Sequence, residues 1–358
     1  MSSAPERIDR IGPLAIALAI AACTGGSSAP HRDEVAGSAR GPSAPSAPNA
    51  PSAPEPAAPP TMRAPVTVQA GSNVVNFEEP KIDLPKQESF KLLDPGKGAR
   101  APLRYALAAG TTRFFTQATI ASRHLEQGAF TSPFTVPPVR DGFAVTVGDG
   151  ARSLALLPLP GEAPSTSREA EAYLAPWRTL LQNRRITVAF DDRGGFSAIR
   201  FNDDPTNTHS TRAKDELVQR LLSLIVPLPV EPVGAGASWR VVTILRQGPA
   251  YAKQTATYTL TSRSASAWKV HAQLQRVGEE QRITDPSLPP GTTADLLAMF
   301  RNVEGDVEID PAQPLVTGGS LAIESRLHVK LQAPGQTAAQ AIEQIFEDTG
   351  TVAFSRER

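Results

Sequence analysis

Toward its C-terminal end the chain places apolar residues at every second position, with polar residues between them. In the cleanest case Leu321, Ile323, Leu327, Val329 and Leu331 alternate with Ala322, Glu324, Arg326, His328 and Lys330. Successive strand side chains point to opposite sides, so this pattern calls for an antiparallel sheet with one wet and one buried face. Trp268, Val270, Ala272 and Leu274 repeat it against Lys269, His271 and Gln273. So do Val303, Val307 and Ile309 against Glu304, Asp306 and Glu308, and Tyr258 and Leu260 against Thr255, Thr257, Thr259 and Thr261. Such a sheet needs apolar matter laid on its dry face. Residues 212–226 predict a helix that supplies it: Leu217, Val218, Leu221, Leu222, Leu224 and Ile225 make a stripe too wide for a surface helix. Asp215 and Glu216 fall in its first turn and Pro227 stops it. The fold class that follows is α+β, a curved antiparallel sheet of about ten strands, half-barrel-like, wrapped around one main helix.

Further strands are expected at 104–107 and 111–121, and at 145–147 and 153–157 around Gly148-Asp149-Gly150. A short helix is expected at 167–175. A hairpin is expected where Asp191-Asp192-Arg193-Gly194-Gly195 joins 186–190 to 196–201. Residues 337–354 read as a strand paired with 321–331 across Ala333-Pro334-Gly335-Gln336, although Ala338, Ala341, Ile342, Ile345 and Phe346 also fit a helical stripe.

The 358 residues carry 36 basic and 36 acidic side chains, a balance that gives no support for nucleic acid or an anionic surface as partner. The single cysteine excludes an internal disulfide framework and a multi-cysteine zinc site. The 34 prolines are concentrated toward the front, which separates an unstructured leader from a folded domain. Residues 11–22 are apolar, too short to span a bilayer, and follow Arg7 and Arg10, as in a signal peptide. They end in Ile20-Ala21-Ala22-Cys23, which resembles the lipobox of bacterial lipoproteins. Glu6 and Asp9 dilute the basic start, and Pro13 interrupts the apolar run early. The resemblance implies cleavage before Cys23 and its acylation with palmitate-type chains, enough for stable anchoring.

The organisation expected is therefore a signal peptide (1–22), a lipidated cysteine with a Ser/Ala/Pro linker (23–65), an arm packing on the domain (66–102), and the domain itself (103–358). The implied partner is the membrane, through the N-terminal lipid. The implied location is a bacterial cell envelope, at the outer membrane facing the periplasm or the cell surface. Nothing in the sequence points to an oligomer or to a cofactor.

Two stretches carry a second likeness: Phe190-Asp191-Asp192-Arg193-Gly194, and the run Pro227-Leu228-Pro229-Val230-Glu231-Pro232-Val233-Gly234-Ala235-Gly236-Ala237-Ser238-Trp239. With Thr257-Tyr258-Thr259-Leu260 and the closing long hairpin, they resemble an uncharacterised family of bacterial envelope lipoproteins over about 103–358. That family implies an architecture similar to the half-barrel of outer-membrane lipoprotein carriers. It brings no catalytic residues.

Among polar groups, Asp203, Asp204, Asn207, His209 and Ser210 form the densest cluster, but their spacing matches no metal loop or catalytic triad. They read as a hairpin exit and helix cap. His271 and His328 fall on polar strand faces, as do Glu304, Asp306 and Glu308. Gly234-Ala235-Gly236 follows prolines rather than a strand and reads as a turn. The residues that remain are apolar: Leu217, Leu221, Leu224, Trp239 and Trp268, which either line a ligand pocket or seal the core. The buried faces show few charges, so a ligand is expected to be apolar. Two readings follow, both non-enzymatic: a module that binds a lipid or other apolar envelope ligand, and a structural or protein-interaction lipoprotein with a fully packed core.

Overall fold

A computed structural model describes residues 86–126, 129–130, 134–148, 153–162, 185–202, 211–247, 250–283, 288 and 290–357. In chain order the strands begin with β1 (Lys86–Asp94), β2 (Lys97–Ala101), β3 (Gly110–Glu126), β4 (Ala129–Phe130) and β5 (Phe134–Val147). Then come β6 (Ser153–Glu162), β7 (Arg185–Phe190), β8 (Phe196–Asn202), helix α1 (Thr211–Ser223), β9 (Val233–Ala235), β10 (Ser238–Gln247) and β11 (Ala250–Arg263). The last are β12 (Trp268–Gly278), β13 (Gln281–Ile283), β14 (Thr293–Ile309), β15 (Gly318–Gln332) and β16 (Ile342–Glu357).

The fold is mostly antiparallel sheet with one helix among the described residues. The main sheet has 14 strands in the order β1-β10-β11-β12-β14-β15-β16-β3-β5-β6-β7-β8, with β13 beside β14 and β4 beside β3. It is open, with β1 and β8 at its ends. Two meanders, β10 to β16 and β3 to β8, are joined where β16 pairs with β3 along Gln344 to Glu357. A small second sheet pairs β2 with β9.

Among the described residues sixteen strands stand where about ten were expected. The extra ones carry no alternation to read. Strands β2, β4, β9 and β13 are five residues or fewer. The edge strand β1 is exposed on most of its residues, and only Phe90 and Leu92 of one face pack against the core, too few to set a pattern. Of the segment expected as an arm, residues 86–94 hydrogen-bond to β10 and 97–101 to β9.

Residues 104–107 do not form the expected strand. Leu103 and Tyr105 are buried alternately, as in a strand, but the backbone divides its bonds between two turns. Tyr105 N donates to Asp192 O at 2.8 Å, while Ala106 N donates to Pro311 O at 2.8 Å. The hairpin of β7 and β8 forms as expected. Asp191 Oδ1 accepts from Arg193 N and Gly195 N, and Gly194 sits at φ +84°, where a side chain is strained. Residues 342–357 form the strand β16 in register with β15, Phe346 opposite Leu327 and Val352 opposite Leu321. Gly142 of β5 has no room for a side chain, since a Cβ there would lie 1.9 Å from Phe114 O.

Helix α1 starts one residue earlier than expected and ends at Ser223, not at Val226. Asp215 and Glu216 therefore fall in its second turn. The carbonyl of Leu224 accepts instead from Val316 N at 2.8 Å, and Leu228 N donates to Arg193 O at 2.8 Å. The first of these tertiary bonds takes over before the proline is reached, and the second follows just past it. The helix turns Leu217, Val218 and Leu221 into the main core, followed by Leu224, Ile225, Val226 and Leu228. Gln219 and Arg220, between Val218 and Leu221, reach opposite meanders: Gln219 Nε2 donates to Arg246 O in β10 at 2.8 Å, and Arg220 pairs with Asp141 in β5. The expected helix at 167–175, residues 1–22, Cys23 and the linker at 23–65 lie outside the described residues.

Candidate functional site

The five residues singled out for a pocket come together. Leu217, Leu221, Leu224, Trp239 and Trp268 all belong to the same core cluster, and all are buried. Trp239 is fully buried, stacks on Tyr258 with ring centroids 5.8 Å apart, and donates from Nε1 to Pro227 O at 2.8 Å. Trp268 lies 6.3 Å from the Tyr105 ring, which also meets Phe190 edge-on at 5.3 Å. Tyr105 donates its hydroxyl to Val226 O at 3.0 Å. Burial pushes the Tyr105 hydroxyl far above the usual phenol range against that bond, and burial alone does the same to Tyr258.

The inward face of the sheet is not uniformly apolar. Strand register places seven polar residues in one row across seven strands. Thr243 pairs with Gln254, Gln254 with Arg276, Arg276 with Arg301, Arg301 with Ser325, Ser325 with Asp348, and Asp348 with Ser122. On one side the adjacent inward row is Val241, Ala256, Leu274, Val303, Ile323, Gly350 and Ile120. It belongs to the α1 end of the molecule. On the other side a second core gathers Leu245, Ala252, Met299 and Phe346 with Leu296, Val329 and Leu331. The polar row separates the two cores.

Within the row, Arg276 donates from Nε and Nη2 to Gln254 Oε1 at 3.2 and 2.7 Å, and from Nη1 to Gln247 Oε1 at 2.7 Å. Arg301 stands directly opposite Arg276 on the neighbouring strand, with its Nε buried. Asp348, only 5% exposed, accepts from Ser122 Oγ at 2.5 Å and Ser325 Oγ at 3.1 Å. In the second core the amide of Gln344 is 2% exposed, and among the described residues its Oε1 meets no hydrogen-bond donor. Charges on the buried faces are few, as expected: among the described residues Asp348 is the one fully buried charged side chain, with Arg276 and Arg301 half-buried on the same face. The signal was present in the sequence: Arg276 continues the parity of Trp268 to Leu274, Arg301 shares that of Val303, and Ser325 interrupts Leu321 to Leu331. Alternation alone hides such residues, because a long apolar run dominates the pattern.

The other candidates stay apart from this face. His271 lies on the wet side between Glu304 at 3.3 Å and Asp306 at 3.0 Å, and His328 lies 3.1 Å from Glu343. Gln273 donates to Glu304 Oε1 at 3.0 Å, and that bond, more than His271, holds the Glu304 carboxyl below its ordinary range. Glu308 pairs with Lys269 at 3.0 Å on the same surface. Among the described residues no group of His, Cys, Asp and Glu is placed to hold a metal ion. Gly234 belongs to β9, where a Cβ would meet Lys97 O at 2.2 Å, and the turn comes one residue later than the middle of the Gly-Ala-Gly run, at Gly236 and Ala237. Asp203, Asp204, Asn207, His209 and Ser210 lie outside the described residues.

Compared with protein-family models and with curated proteins, the chain matches none.

Proposed function

We propose that this protein is a lipid-anchored lipoprotein of a bacterial cell envelope, akin to the half-barrel carriers, whose domain holds a lipid or other apolar envelope ligand without catalysing a reaction. The observation that carries the reading is the reach of α1. Strands β5 and β10 are seven steps apart in the strand order. In a flat sheet that is about 34 Å, at ~4.8 Å per strand. Yet Gln219 and Arg220, neighbours on one short helix, bond to both. Tyr105 spans an equal interval, touching Phe190 of β7 and Trp268 of β12. Both bridges support a sheet that bends around the helix and encloses an inward surface. Half-barrels bind apolar ligands on such a surface, between sheet and helix.

A fully packed, structural core is the second reading. It is favoured by the close mutual packing of Leu217, Leu221, Leu224, Trp239 and Trp268. Extraction decides between the two. Protein purified from its own envelope should release lipid into organic solvent and show bound lipid by native mass spectrometry. Val303→Trp, which adds bulk at a half-buried position of the apolar row, should reduce that lipid several-fold. If native mass spectrometry finds no lipid and a fluorescent fatty acid fails to bind, the packed reading replaces this one.

The anchor has its own test. Cys23→Ser should move the protein from the detergent phase to the aqueous phase in Triton X-114 partitioning, because one acylated cysteine supplies all of the membrane affinity. Unchanged partitioning would place the attachment elsewhere in the chain.

A further inference from the structure

The charge balance of the whole chain does not hold locally on the outer face of the main sheet. Alternation buries Trp239 and Val241 in the core, and so turns Arg240, Val242 and Ile244 outward. On that face Lys91 of the edge strand β1 stands directly opposite Arg240, and Ile244 lies between Lys86 and Lys253. Like charges opposed across antiparallel strands destabilise the pairing. The other neighbour of Arg240 is Thr257, so no carboxylate across the strands offsets the pair. The acids of β1 are engaged elsewhere: Glu88 pairs with Lys253 at 3.2 Å, and Asp94 accepts from Gly96 N at 2.8 Å. Among the described residues Lys86, Lys91 and Arg240 have no ion-pair partner. Farther across the same outer face the sign reverses, with Glu304, Asp306 and Glu308 on β14 and Glu324 on β15, all exposed.

Apolar side chains stand among the cations. Val277, opposite Lys253, is 43% exposed, and Tyr251, two residues from Lys253 on the same side of β11, is 51% exposed. Exposed cations interleaved with a tyrosine and aliphatic side chains fit the surface of a bilayer that carries anionic phospholipid. The cations reach the phosphates, and the tyrosine lies at head-group level. The chain arriving from Cys23 also enters the described fold at Lys86, on this edge.

We infer that the outer face of β1, β10 and β11 rests on an anionic phospholipid surface. The inference rests on the lipid-anchor reading above for the direction of approach, since a linker tethered at Cys23 leads into β1. The same surface repels the carboxylates of β14 and β15, which orients the sheet with its β1 edge toward the membrane.

The test uses the full-length chain carrying Cys23→Ser, so that acyl chains contribute nothing, and measures cosedimentation with vesicles. Phosphatidylcholine vesicles with about one-third phosphatidylglycerol should bind it at least roughly fivefold more tightly than phosphatidylcholine alone, and high salt should abolish the difference. Lys91→Gln with Arg240→Gln should weaken binding to the anionic vesicles about tenfold or more, because each cation near such a surface contributes roughly fivefold. Arg326→Gln with Lys330→Gln removes the same charge from β15 and should leave binding within about twofold. Val277→Trp should tighten binding several-fold, a gain that misfolding cannot imitate. Residues 1–22 are common to every variant and set a constant background. Equal binding to the two kinds of vesicle, or equal losses in the two double variants, overturns the inference. So does the absence of a loss in the first double variant or of a gain in Val277→Trp. A second copy is the other occupant. A dimer that Lys91→Gln with Arg240→Gln dissolves in sedimentation velocity, without vesicle binding, assigns the face to self-association and overturns the inference too. None of these failures touches the anchor, which Triton X-114 partitioning of the unaltered protein decides.

Discussion

Leu221→Asp should yield a domain that is insoluble or molten. Leu221 is 1% exposed and lies in the core between α1 and the inward face of the sheet. Removing a buried leucine side chain costs roughly 3–5 kcal/mol. A carboxyl group in its place adds about 1–3 kcal/mol even when it takes up a proton and stays neutral. Together these approach the whole stability of an ordinary domain, roughly 5–15 kcal/mol. The expected product keeps far-ultraviolet circular dichroism, loses its near-ultraviolet signal and binds ANS, or fails to leave inclusion bodies. A variant that melts cooperatively at the wild-type temperature would place α1 outside the core.

Trp239→Ala should be the next most damaging single change. The indole is fully buried, stacks on Tyr258 and holds the Pro227 carbonyl, which ties the chain leaving α1 to the start of β10. Truncating a buried tryptophan costs roughly 3–5 kcal/mol. In a domain of this size that lowers the melting temperature by about 10 °C. Trp239→Phe separates the two contributions: it restores most of the packing but leaves Pro227 O without its donor, a loss of about 1 kcal/mol. Thermal unfolding of the three proteins should rank wild type, Phe and Ala in that order. Equal melting of Phe and Ala variants would show that the hydrogen bond, not the packing, is what the indole supplies.

The strands with one dry face were legible in the sequence for a single reason. Their side chains alternate between water and core, and residues such as Leu321, Ile323 and Glu324 record that division directly. The closing hairpin was legible on the same ground, since Ile342, Phe346, Val352 and Phe354 share a parity and end up in register with β15. The edge strand β1 was not, because only Phe90 and Leu92 of one face are covered, and two residues make no pattern. Residues 104–107 misled for the opposite reason. Leu103 and Tyr105 are buried in the right rhythm, but a rhythm cannot say that the backbone bonds go to two separate turns.

The candidate site divides in the same way. The sequence by itself determined which residues are apolar enough to build a core, Leu217, Leu221, Leu224, Trp239 and Trp268 among them, and that an antiparallel sheet needs such a helix. It did not determine register. Arg276, Arg301, Ser325 and Asp348 lie far apart along the chain, each on a mainly apolar strand face. Only strand pairing brings them into one line, because cross-strand neighbours are chosen by turn length and bulges rather than by local composition. The tertiary structure therefore decided that the inward face carries a charged row between two apolar cores. The sequence decided only that it has an inward face.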